Sequence, residues 1–259
     1  MPEGDTVWRS AHHLHQALAG DVLTLSDFRV PEFATVDLSG QTVDEAVSRG
    51  KHILIRVGRH SIHTHLKMEG AWHIHPLGSR WRQPAHSARV VLETASTQAV
   101  GFWLGITEVL DRQAESQALS HLGPDLLGAD WDLDEAVRRV SSDSAIPVFL
   151  ALHDQRNLAG FGNEYVNELC FLFGVLPTRA VADVPDPRRM ITRGQTIIGA
   201  NRERTIRTFT GVARSGQNEW VYGRGGHPCR RCGTTIKRGE LGHAPTRMRN
   251  TFWCPCCQT

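Results

Sequence analysis

The spacing of apolar and polar positions changes three times along this 259-residue chain. Val7, Trp8, Ala11, Leu14 and Leu18 recur at helical spacing. They predict a helix over about residues 6–19, with Asp5 as its N-cap and Gly20 as its stop. From residue 22 the period shortens to two. Apolar-alternating runs at 22–30, 41–48, 52–57, 61–66, 71–75, 88–93, 99–104 and 106–110 are separated by turn residues. Many short strands at such spacing predict a β-sandwich or barrel. Residues 112–131, with Gly123-Pro124-Asp125 and Gly128-Ala129-Asp130, break the strand pattern. Helical spacing then returns over 132–140, 146–153, 163–173 and 188–200. The pattern predicts an α+β chain, with a helix and a β-sandwich or barrel before residue 112 and helices after residue 131.

Composition adds a partner class. Net charge is only +2, but residues 193–259 hold 12 Lys/Arg against 3 acids, leaving 17 basic and 24 acidic groups before them. A basic C-terminal quarter points to an anionic partner, most often nucleic acid. No apolar run approaches the roughly 20 residues of a membrane span. The N-terminus carries Glu3 and Asp5 in place of a basic-then-apolar leader, so a cytoplasmic, nucleoid-associated protein is expected.

The cysteines are the strongest local signal. Cys229-x2-Cys232 and Cys254-x2-Cys257 frame a span long enough for a hairpin that returns the second pair to the first. This spacing predicts one zinc ion held by four thiolates. With every position filled by protein, the ion is structural, and the chemistry must lie elsewhere. Cys256 could compete with Cys257, although Cys254-x2-Cys257 has the better geometry. Cys170 lies in an apolar helical stretch and is expected in the core.

Candidate chemistry lies at the other end. Pro2, once Met1 is removed, carries a secondary amine, and α-amino groups titrate at about 7.7–8.0. Such an amine can attack a sugar aldehyde carbon and form an imine. Glu3 beside it is a candidate acid/base. A proline in second position is also common without any such role. Lys51, in the turn Arg49-Gly50-Lys51-His52, reads in isolation as a surface lysine. His63 and His65 share one strand face, but no third ligand at suitable spacing supports a metal there. The glycines of Gly160-Phe161-Gly162-Asn163 permit a tight turn that would aim N–H groups and the Asn163 amide at a phosphate. Ordinary helical hairpins have similar turns.

The N-terminal Pro2-Glu3, the Gly160-Phe161-Gly162-Asn163 turn and the four-cysteine hairpin ending Phe252-Trp253-Cys254-Pro255-Cys256-Cys257-Gln258 together resemble the formamidopyrimidine-DNA glycosylase / endonuclease VIII family, along the whole chain. The resemblance implies an α+β fold with an N-terminal helix and β-sandwich over 1–112, a helical domain with a helix–two-turns–helix motif over 131–222 and a zinc finger over 223–259, with damaged double-stranded DNA as partner and a monomer as the working form. It implies that Pro2 attacks the sugar carbon bearing the damaged base, with Glu3 as acid/base and Lys51 on a phosphate. Asn163 and Arg249 would grip phosphates flanking the lesion, and Met68 would fill the stack vacated by the flipped base. The activity implied is that of a bifunctional glycosylase/AP lyase working by β,δ-elimination. The opening of the chain resembles the endonuclease VIII side, which implies oxidised pyrimidines, and the short 209–222 stretch, where oxidised-purine enzymes carry a longer capping loop, argues against 8-oxoguanine as main substrate. Two departures bear on substrate. Asp5-Thr6 stands where Pro-Glu is common, and Ile146-Pro147-Val148 stands where a basic residue is often found. They leave open a restriction to single-stranded or bubble DNA, or a damage-binding protein without turnover.

Overall fold

The computed structural model describes residues 2–259; Met1, whose removal would bare the Pro2 amine, lies outside the described residues. The chain forms two compact units, one ending at Ser120 and the other beginning at His121.

The N-terminal unit opens with α1 (Gly4–Leu18). Its strands are β1 (Leu25–Phe28), β2 (Val43–Arg49), β3 (His52–Val57), β4 (His60–His65), β5 (Ala71–Pro76), β6 (Ala88–Glu93), β7 (Thr97–Phe102) and β8 (Ile106–Asp111), followed by the short α2 (Glu115–Ala118). Each of the eight expected strands is present. They form two antiparallel four-stranded sheets, in the orders β1-β6-β7-β5 and β2-β3-β4-β8. Alternation explains the sandwich. Ile53, Ile55, Val57 and Ile62 from one sheet meet Phe28, Val90, Leu92 and Ala99 from the other, and Val7, Ala11, Leu14 and Leu18 of α1 join them. Each fully buried aliphatic side chain contributes roughly 1.5–3 kcal/mol.

The start of α1 differs from expectation. The N-cap position is Glu3, not Asp5, and no side chain caps the helix there. The Asp5 carboxylate instead accepts the Thr6 N–H at 2.7 Å, inside the first turn. The expected stop holds: the helix ends at Leu18, and Gly20 takes a φ of +87° that a side chain would resist.

The C-terminal unit contains α3 (Leu133–Val140), α4 (Val148–His153), α5 (Asn163–Leu172) and α6 (Pro187–Asn201). The hairpin of β9 (Lys237–Leu241) and β10 (Arg249–Trp253) follows. A helical core gathers Phe149, Phe161, Tyr165, Leu169, Met190 and Ile198. Packing at its centre is close: a Cβ on Gly194 of α6 would lie 2.3 Å from the Phe161 ring. A second cluster joins Phe171 of α5 to Val221, Cys229, Ile236, Phe252 and Cys254 of the finger. No helix among the described residues is long and apolar enough to cross a membrane.

Candidate active site and nucleic-acid interface

The N-terminal unit places four of the sequence-predicted residues at chain turns. Pro2 is half-buried directly before α1, and Glu3 is fully buried at the helix N-cap position, where its carbonyl accepts the Val7 N–H at 3.0 Å. A carboxylate at a helix N-terminus sits in the favourable end of the helix dipole. Lys51 lies in the two-residue turn between β2 and β3, made possible by Gly50 at φ +58°. Met68 stands in the β4–β5 connection with 69% of its surface exposed. An unbranched apolar side chain held in solvent gains nothing from its own fold.

The C-terminal unit arranges Asn163 and Arg249 through a shared strand. Asn163 is the first residue of α5, and its side chain is buried. Its amide does not simply project outward, as the turn suggested: Nδ2 donates to the Asn250 carbonyl of β10 at 3.0 Å. An amide nitrogen carries two hydrogens, so one donor remains. Asn250 follows Arg249, which is exposed at the start of β10. One turn along α5, Asn167 Oδ1 accepts the Phe252 N–H at 2.6 Å, and its Nδ2 donates to the Asn163 carbonyl. Finger strand and helix start are thereby pinned together.

Glu168 completes this joint. Its fully buried carboxylate accepts the backbone N–H groups of Trp220, Val221 and Tyr222 at 2.8–2.9 Å. Burial pushes the carboxyl up to about 7, against the opposing pull of those three donors. Arg231 of the finger lies 4.5 Å over the Phe171 ring, which in turn stacks on Trp220. Asn167 and Glu168 carry no pattern in the sequence. Only the structure shows that α5 is buried on all sides, polar residues included.

The turn before α5 is built by side chains. Gln155 donates to the His153 and Phe161 carbonyls and accepts the Gly160 N–H. Gly160 takes a φ of +121°.

The ligand atoms of Cys229, Cys232, Cys254 and Cys257 all lie within 4.8 Å of one another, and Cys256 is outside the group. Hydrogen bonds from Thr234 hold the Cys232 thiol down to about 6, while burial pushes Cys254 and Cys257 up. Four sulfurs this close ionise together only around a cation, so the group can hold a metal ion. Cys170 is fully buried, and that burial pushes its thiol up to about 12, as suits a core residue.

The segment between α6 and the finger closes on itself. Phe209 N–H donates to Asn218, Asn218 Nδ2 to the Arg207 carbonyl and Trp220 Nε1 to the Phe209 carbonyl. It is a short, tied loop.

Known proteins resemble this chain along its whole length. Residues 1–103 match the formamidopyrimidine-DNA glycosylase N-terminal domain. A Mycolicibacterium smegmatis protein named DNA-(apurinic or apyrimidinic site) lyase Nei2 is 52% identical over 259 residues, covering 100% of this chain and 99% of that one. Endonuclease 8 2 of Mycobacterium tuberculosis is 49% identical, with 100% of both chains covered. The fold matches the Lactococcus lactis formamidopyrimidine-DNA glycosylase bound to AP-site DNA, with a TM-score of 0.80 at 19% identity over 99% of both chains. With a whole-length relative at half identity and the same fold, this chain belongs to the formamidopyrimidine-DNA glycosylase / endonuclease VIII family, on its endonuclease VIII side.

Proposed function

We propose that the protein is a bifunctional DNA glycosylase/AP lyase of base excision repair, acting on oxidised pyrimidines in damaged DNA. The observation that carries this reading is the Pro2-Glu3 pair at the head of α1, with Glu3 fully buried, in a chain matched along its whole length by a relative named as an AP lyase.

The chemistry follows from a secondary amine. The freed Pro2 nitrogen attacks the sugar C1′, a C–N bond forms and the base leaves with the electron pair and takes a proton. Glu3 delivers a proton to the ring oxygen, which opens the sugar and leaves an iminium on C1′. The cation acidifies the C2′ proton. Its removal expels the 3′ phosphate, a second elimination expels the 5′ phosphate and water releases the amine. Lys51 holds a phosphate during these steps. Met68 fills the gap left by the flipped base, whose extrusion costs a few kcal/mol. Asn163, through its second amide hydrogen, and Arg249 grip flanking phosphates, whose neutralisation makes binding salt-dependent.

Zinc is the ion proposed for the four cysteines. A tetrahedral site with Zn–S of about 2.3 Å sets sulfurs about 3.8 Å apart, and the Cys232 and Cys254 sulfurs are 3.4 Å apart. The ion is structural and takes part in no step of the reaction. The working form is a monomer in the cytoplasm, at the nucleoid. The short 209–222 loop supports pyrimidines over 8-oxoguanine. Single-turnover excision from oligonucleotides containing 5-hydroxyuracil, thymine glycol or 8-oxoguanine tests the assignment, each as duplex, bubble and single strand. Faster release of the two pyrimidines is expected; preferential release of 8-oxoguanine contradicts the substrate reading, and no release from any substrate contradicts the glycosylase.

A further inference from the structure

A hydrogen-bonded chain of histidines lies on the face of the β2-β3-β4-β8 sheet that is turned away from the core. The pairings His52↔His65, Leu54↔His63 and His63↔Glu108 set these side chains on one face. Ile53, Ile55 and Ile62 point the other way, into the sandwich. The His63 side chain is only 5% exposed, yet it is bonded at both nitrogens. Nδ1 lies 2.9 Å from Glu108 Oε2, and Nε2 lies 2.8 Å from His52 Nδ1. A carboxylate only accepts, so His63 donates through Nδ1. In the neutral ring Nε2 then accepts, and His52 donates through its own Nδ1. Glu108 thus fixes the tautomer and ring orientation of His52, the residue joined to Lys51.

His65 braces the chain from the other side. Its ring meets His52 edge-on at 4.8 Å, and its Nδ1 accepts the Lys67 N–H at 2.8 Å. That bond needs an unprotonated Nδ1. Burial, then the nearby charges of Lys67 and Lys51, hold His65 down to about 4 and keep it neutral. Lys67 opens the Met68 connection with a left-handed φ of +55°, a conformation a non-glycine residue adopts only when its surroundings enforce it. The His65 carbonyl also accepts the Gly105 N–H at 2.9 Å, and a Cβ on Gly105 would run into the Lys67 side chain. One cluster therefore fastens the Lys51 turn, the Met68 connection and the β7–β8 turn.

We propose that His63 is a positioning residue: the Glu108–His63–His52 chain, braced by His65, holds Lys51 and the Met68 connection in one arrangement for gripping damaged DNA. The proposal rests on the roles given above to Lys51 and Met68. A double-mutant cycle tests it, using the zinc-loaded full chain and single-turnover strand scission at an abasic site in duplex DNA. Lys51→Ala should slow scission strongly and His63→Phe by about tenfold or more, as small misplacements do. Their combination should fall no more than about twofold below Lys51→Ala alone, because coupled residues are not additive. Glu108→Leu, at a half-exposed carboxylate, should lose about threefold, and Glu108→Gln, whose amide oxygen still accepts from His63, should restore the rate to within about twofold. A wild-type rate in His63→Phe overturns the proposal, as does a loss that multiplies in full with that of Lys51→Ala. If His63→Phe does not fold, Glu108→Leu decides, and a wild-type rate there overturns it. A wild-type rate in Lys51→Ala itself overturns the role of Lys51 and this proposal with it.

Discussion

The sandwich and the helix–finger joint hold their candidate residues by different physics. In the N-terminal unit, position follows from register. Lys51 and Met68 sit in turns whose ends are fixed by strands with an apolar inner face, packed as Ile53, Ile55 and Ile62 show. In the C-terminal unit, Asn163 and Arg249 are set by buried polar contacts, with Asn163, Asn167 and Glu168 of α5 gripping β10 and residues 220–222. An apolar core tolerates volume-conserving change, whereas a buried polar joint fails when one partner is lost. The first kind of region should lose stability in proportion to volume, and the second should lose its geometry at once.

Metal removal tests the second kind most severely. Structural zinc contributes on the order of 10 kcal/mol to folding of small domains. Chelation, or Cys254→Ser, should unfold the finger and abolish DNA binding, while hydrogen exchange still shows protected sandwich strands. Next comes Glu168→Ala, which takes the acceptor from three backbone N–H donors, that of Val221 buried, and should cost about 4 kcal/mol. Hydrogen exchange should localise the loss to residues 220–222 and β10. Glu168 also gives a pH signature. Its carboxyl titrates higher in the folded chain, at about 7, than its ordinary 4.5. The folded state therefore binds the proton more tightly, and this contribution to stability is complete below about 4.5 and is lost as pH rises through about 7. Urea unfolding at pH 5 and pH 8 should show that loss in the wild type and a smaller one in Glu168→Gln.

Ile62→Ala in the sandwich should cost about 3 kcal/mol, as a cavity does, with the finger contacts unchanged. Thermal unfolding followed by hydrogen exchange separates the two regions. Arg231→Ala removes the cation–π contact over Phe171 and should cost about 1 kcal/mol. Met68→Ala should change stability by less than about 0.5 kcal/mol, since the side chain is exposed. It should still slow excision from duplex DNA more than from single strands, where no stack needs filling. Equal slowing on both would contradict the wedge role.

The same contrast governs what the amino-acid sequence revealed. Periodicity located all eight sandwich strands and the four α-helices after residue 130, because an apolar inner face writes itself into the chain as a period. Cysteine spacing found the metal group for a similar reason. The buried polar joint left no such trace. Asn167 and Glu168 sit in α5 beside Tyr165, Val166 and Leu169 with no regular spacing, and their partners are backbone atoms more than 50 residues away. The Gly160-Phe161-Gly162-Asn163 turn draws attention to Asn163, but nothing in the sequence points to its bond to the Asn250 carbonyl. Asp5 was misplaced as the N-cap because a cap is one hydrogen bond, and the chain makes that bond to Thr6 instead. His63 and His65 raised a metal question that the fold answers with Glu108 and the Lys67 backbone.

The account turns on the N-terminal amine. Purified, zinc-loaded protein with Met1 removed would be mixed with duplex DNA carrying an abasic site and treated with borohydride, and the cross-linked peptide identified by mass spectrometry. A covalent adduct on the Pro2 nitrogen, much reduced in Pro2→Gly, is the result predicted. No adduct, or one carried by a lysine and unchanged in Pro2→Gly, would contradict it.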